Sequence, residues 1–147
     1  MNFSRRRLIP ITLAGAVIAV LAIGVSQSSA SKVQRATRLI QAQKDTCDES
    51  DNGNARVGNV QFLYNAQKNK LDMVVNITGG LPSTTYYFYV LDGGTCDPIV
   101  GPVGSGRTKA NGKGRFKIHA SVPGSSQFVL DAWDGSNDNN SRPADFS

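Results

Sequence analysis

Residues 58–78 read GNVQFLYNAQKNKLDMVVNIT, and their periodicity decides the fold class. Val60, Phe62 and Tyr64 alternate with polar neighbours, as do Leu71, Met73, Val75 and Ile77. A period of two marks strands with one buried face, whereas a helix would repeat its apolar residues every three or four positions. The polar loop Ala66-Gln67-Lys68-Asn69 between the two runs is short enough to close a hairpin.

Toward the C-terminus the chain continues GGLPSTTYYFYVL, residues 79–91, in which Thr85–Leu91 makes a third strand without a polar face. Parity places Tyr86, Phe88 and Val90 on one side and Tyr87, Tyr89 and Leu91 on the other. One set fills a core. If the other is covered, the run is structural throughout; if Tyr87 and Tyr89 lie exposed side by side, they form a candidate binding surface.

Gly104–Thr108 then leads through Lys109-Ala110-Asn111-Gly112-Lys113-Gly114 into Arg115–Val122, where Asn-Gly supplies the positive φ of a tight hairpin turn. Phe116, Ile118, Ala120 and Val122 face one way, while Arg115, Lys117 and His119 form a basic strip on the other. Such a strip meets an anionic polymer in some proteins and is a solvated sheet face in more of them. After a Pro123–Ser126 turn, Gln127–Trp133 is a further strand, and residues 136–147 read as a loose polar tail. Six to eight short strands without a helical pattern between them imply an all-β antiparallel sandwich over residues 47–135, with a closed barrel as the alternative.

Residues 1–30 combine a basic start, an apolar stretch from Leu8 to Val25 and a small-residue end at Ser28-Ser29-Ala30. This is the pattern of an export signal, or of a hydrophobic helical anchor if it is not cleaved. Ser4-Arg5-Arg6-Arg7-Leu8-Ile9 resembles the twin-arginine export consensus, which implies a domain that folds before export. Residues 31–46 read as a linker with a short helix, since Val33, Ala36, Leu39 and Ile40 fall at helical spacing. Setting aside the three signal arginines leaves 13 of the 16 basic residues against 11 acidic ones, a balance that points to no nucleic-acid partner.

Cys47 and Cys96 are the two cysteines, and in an exported chain they are read as one disulfide. Closing a loop of that length stabilises a fold by about 4 kcal/mol in the chain-entropy account.

Gly80-Leu81-Pro82-Ser83-Thr84-Thr85-Tyr86, followed by an aromatic strand, resembles the Leu-x-Pro-x-Thr-x-Tyr approach to strand F of fibronectin type III domains, with Leu81 one residue nearer the proline. The resemblance implies a buried Leu81, a corner shaped by Pro82 and Thr84, and a Tyr86 hydroxyl that closes it. Thr108 to Phe116 is similar to the Thr-x-x-Asn-Gly-x-x-x-Phe hairpins of bacterial Ig-like modules. Together these imply an Ig-like sandwich in the broad sense, and a fold carries no function by itself.

Three further features bear on function. Asp134, Ser136, Asp138 and Asn140 place oxygen atoms at alternate positions, as calcium loops do, without the sixth-position glycine and distal Glu of such loops; Asp48–Asn54 is a weaker second cluster. Trp133 either stacks on a sugar ring or packs at the edge of the sandwich. No catalytic motif, phosphate loop or histidine-rich metal set is present, so the chain reads as a non-enzyme without a cofactor, calcium aside. The expectation is an exported protein, extracellular or at the cell surface (periplasmic in a two-membrane bacterium). Its expected role is adhesion, envelope or matrix association through a protein or glycan partner, touching membrane only through an uncleaved N-terminus. The alternative is a calcium- or carbohydrate-binding module that uses Trp133 and the Asp/Asn-rich tail.

Overall fold

The computed structural model describes residues 32–147 apart from residue 52. The export signal read in residues 1–30 lies outside the described residues. Among the described residues eight strands follow one another: β1 (Val33–Gln41), β2 (Arg56–Asn65), β3 (Lys70–Ile77), β4 (Thr85–Asp92), β5 (Pro98–Arg107), β6 (Gly114–Ser121), β7 (Gln127–Trp133) and β8 (Ala144–Asp145). They form two antiparallel sheets ordered β1-β2-β3-β6 and β5-β4-β7-β8. The inward residues of both sheets meet in one core, with Val60, Phe62, Leu71, Met73 and Val75 from the first and Tyr86, Phe88, Val90, Phe128 and Leu130 from the second. This is the β-sandwich that the alternation requires, because each apolar face needs another to cover it. Among the described residues no helix is long and apolar enough to cross a membrane.

The β2–β3 hairpin has the expected register, with Phe62 opposite Met73 and Tyr64 opposite Leu71, and its loop closes as the 3₁₀ turn Ala66–Lys68. The corner before β4 also forms. Tyr86 is 1% exposed, and its hydroxyl accepts the Leu81 N–H at 2.9 Å. Thr108, buried on the opposite side of the corner, donates its hydroxyl to Leu81 O at 2.6 Å and accepts the Thr84 N–H at 3.0 Å.

Four local expectations are corrected. Residues 33–41 are not a linker with a helix but strand β1, paired along its length with β2. Only Ala36 and Ile40 of its inward positions are apolar; Gln34 and Arg38 hold the others at the open edge, so period two is hidden and a helical spacing stands out. The tail at 136–147 is not loose: Asn139, Asn140 and Ser141 are 2%, 2% and 0% exposed, and Phe146 packs against Tyr64 and Phe128. Its polar side chains stand in for missing backbone partners, Asn139 Nδ2 donating to Ala132 O at 2.8 Å and Ser141 Oγ accepting the Leu130 N–H at 2.9 Å. The Asn111-Gly112 turn closes locally but joins no hairpin, because β5 and β6 lie in different sheets. Gly112, at φ +73°, sits so close to Gly80 O that a side chain there would collide with it. Finally Leu81, implied to be buried, is 50% exposed; the one-residue shift relative to Pro82 turns it outward.

One edge of the sandwich is stitched shut. Gln41 N–H donates to Asn140 O, Asn140 N–H to Lys44 O and Arg142 N–H to Leu39 O, each at 3.1 Å. Arg38 Nε reaches Pro143 O across the same gap. The barrel-like alternative is therefore realised along this edge only.

Tyr86→Phe leaves the Leu81 N–H without its acceptor and is expected to lower stability by about 1–3 kcal/mol in urea unfolding. An unchanged midpoint would show that the corner tolerates the loss.

Candidate functional site

The outward face of β4 is laid beside that of β7 by strand register: Tyr87 stands opposite Trp133, Tyr89 opposite Asp131 and Leu91 opposite Val129. These three pairs form a graded surface. At one end Tyr87 is 39% exposed, and its ring centroid lies 5.8 Å from that of the half-buried Trp133. At the other end Leu91 and Val129 are covered by Cys47, with Cys96 packed against them.

The cover is covalent. Cys47 and Cys96 form the expected disulfide, 49 residues apart with their Cα atoms 5.4 Å from each other. It pins the segment between β1 and β2 over the far end of the face. Lys44 anchors the same segment: it is 1% exposed, and its Nζ donates to Thr46 Oγ1, Asp48 Oδ1 and Ser50 O, each at 2.9 Å. The Ser50 hydroxyl, and after it Lys44, hold the Asp48 carboxyl well below the usual carboxylate range.

Between the covered and exposed ends lies a cleft of about 300 Å³, lined by Tyr89, Leu91, Pro98, Asp131, Trp133 and Asp138. Gly101 of β5 leaves room for the Tyr89 ring, which a side chain there would strike. Asp131 is 7% exposed, and its Oδ1 has no hydrogen-bond partner among the described residues. The Oδ1 of Asn140, its cross-strand neighbour in an antiparallel bridge, is likewise buried and unpartnered. Burial, followed by the negative charges of Asp138 and Asp134, pushes the Asp131 carboxyl up to about 7. An apolar cleft with a few convergent polar groups and a displaced pKa is the usual physical profile of a ligand site.

The three aromatic residues singled out in the sequence thus come together: exposed Tyr87 beside half-buried Trp133, and Tyr89 with Trp133 as cleft walls. The proposed calcium residues are placed differently. Asp134 Oδ1 accepts the N–H groups of Ser136 at 3.0 Å and Asn137 at 2.9 Å, and its Oδ2 accepts from Asn139 Nδ2 at 3.3 Å, so this carboxylate is occupied in shaping the turn after β7. Asn140 is buried, while Ser136 and Asp138 are exposed. Among the described residues no group of three or more His, Cys, Asp or Glu is disposed around a metal. In the Asp48–Asn54 cluster, Asp48 and Asp51 are engaged by Lys44, Gln41 and Arg142.

The basic strip lies on the other sheet. Arg115, Lys117 and His119 are exposed on β6 opposite Asn76, Val74 and Asp72, and His119 Nδ1 meets Asp72 Oδ1 at 2.7 Å. His119 is therefore on the opposite outer surface from Asp131. The sequence did not mark Asp131 as a binding residue. Its signal was a lone carboxylate in the apolar strand QFVLDAW, two residues from Trp133 and so on the same face.

No family model, characterised protein or solved structure matches the chain. The site is accordingly read from its own residues.

Asp131 sets a direction for stability against pH. Its folded-state value of about 7 lies above the ordinary value of about 4 in an unfolded chain. Between the two the folded chain keeps a proton that the unfolded chain gives up, so stability falls as pH rises through this window and levels off above it. Asp48, Asp51, Asp92 and Asp145 are all held low, so their contributions change only at more acid pH. Asp131→Asn is expected to flatten the fall in melting temperature between pH 5 and pH 8 and to match or exceed the parent at pH 8. Parallel pH profiles for the two proteins would contradict the assignment.

Proposed function

We propose that the chain is an exported, non-catalytic β-sandwich that associates with the cell envelope or surrounding matrix by binding glycan through the outer face of β5-β4-β7-β8. The observation that carries this reading is the exposed Tyr87 ring set 5.8 Å from the half-buried ring of Trp133, which lines an acidic cleft. Two flat rings offer apolar faces to the C–H faces of sugar rings, while carboxylates accept their hydroxyl protons. Both rings sit on strands hydrogen-bonded to neighbours on each side, so little ordering cost is paid on binding.

Several features support the cellular setting. The Cys47–Cys96 disulfide suits an oxidising compartment, and the Arg5-to-Ala30 pattern suits export. An Ig-like assignment finds support in the strand pairing: β3 lies beside β6 and β4 beside β7, as B lies beside E and C beside F in Ig domains, with β5 and β8 flanking the second pair. On that alignment β4 corresponds to strand C, so the tyrosine corner at Tyr86 is not the strand F corner of fibronectin type III domains.

Retention of the purified chain on insoluble envelope polysaccharide tests the reading. Trp133→Ala and Tyr87→Ala are expected to weaken retention at least tenfold each while leaving the melting temperature within a few degrees of the parent. Undiminished retention by both variants would remove this face as the binding surface.

A further inference from the structure

We infer that the cleft between Tyr89 and Trp133 takes a protonated amine carried on a sugar, so that the glycan recognised is one with free amino groups, a deacetylated amino sugar polymer. This rests on the glycan reading above and specifies the chemistry of its site.

Three observations lead here. Asp131 is more than nine-tenths buried, lines the cleft, and presents an Oδ1 for which the described residues supply no donor. A buried carboxylate oxygen without a partner is costly, and it calls for a group rich in donors. An ammonium brings three donors and no acceptor, whereas a hydroxyl brings one donor and an oxygen that would face the carboxylate.

Charge points the same way. Asp138 also lines the cleft, and Asp134 adds a negative charge from the adjoining turn. The cleft therefore sets negative charge beside the aromatic faces of Tyr89 and Trp133, an arrangement that attracts a cation through both carboxylate pairing and ring quadrupoles.

The shape favours a sugar over a lysine side chain as the carrier. A lysine stem is held best by a narrow channel, but here the wall continues outward as the Tyr87–Trp133 pair, two rings inclined at 42° that offer separate faces to the next ring of a polymer. An acetylated amine would bring a bulky carbonyl acceptor to the acidic floor and forfeit the charge.

The test compares glucosamine hexamer, N-acetylglucosamine hexamer and a hexalysine peptide against the full chain by calorimetry at pH 7.5. Glucosamine hexamer is expected to bind at least tenfold more tightly than its acetylated counterpart. Asp131→Asn should erase that preference, and Asp138→Asn, at an exposed position, should reduce it without unfolding the protein. Equal binding of the two sugars would overturn the amine inference while leaving the aromatic platform intact. Binding of hexalysine as tightly as the glucosamine hexamer would overturn the sugar as carrier. Failure of all three probes would overturn the inference outright, with envelope retention still deciding the broader reading.

Discussion

A backbone seam holds the two sheets in their relative positions: Leu39, Gln41 and Lys44 are hydrogen-bonded to residues 140–142 along one edge of the sandwich. Peptide groups buried at such an edge need partners, and the seam supplies them from the other sheet rather than from water. The polar side chains at 139–141 serve the same purpose. Asn139 and Ser141 bond to β7 backbone groups that the short β8 does not reach. Polar residues here belong to the interior because each replaces a missing strand neighbour.

With that edge fixed, β4 and β7 become central strands covered on both sides along part of their length. The inner faces of these strands join the core, while their outer faces pass from full cover at Leu91 and Val129 to open solvent at Tyr87. The cleft occupies the transition. Its carboxylate is placed by strand register rather than by a loop, so Asp131 has little freedom to turn toward water, and the same constraint leaves its Oδ1 without a partner. The disulfide and the buried Lys44 act together at the covered end, one as a covalent clasp and the other as an internal anchor for a segment that has few apolar residues of its own.

Much of this was legible wherever local pattern and final environment agreed. Alternation in β2 and β3 determined both their existence and their faces, and the parity of Tyr86 to Leu91 separated core from surface along β4. Legibility ended where long-range pairing overrides local pattern. Gln34 and Arg38 occupy inward positions of β1 and broke the signal for an edge strand. The turn at Asn111-Gly112 has the chemistry of a hairpin but connects strands in opposite sheets, a choice made by the partners those strands find and not by the turn. Asn139, Asn140 and Ser141 have the composition of a tail because nothing in composition records that a distant backbone waits for them. The aromatic members of the site were visible as residue types. Asp131 became significant only once β4 was known to lie beside β7.

The seam also orders events in time. Arg38 and Pro143, which meet across it, are 105 residues apart in the chain. Long-range pairing of this kind carries its loop-closure cost before any contact repays it, which makes folding slow and strongly cooperative. Until residues 139–146 have docked, the rim of β1 and the end of β7 remain open strand edges able to pair with other chains. Docking of residues 139–146 thus removes two of the edges at which the chain could pair with copies of itself, while β5 and β6 keep theirs in the finished fold.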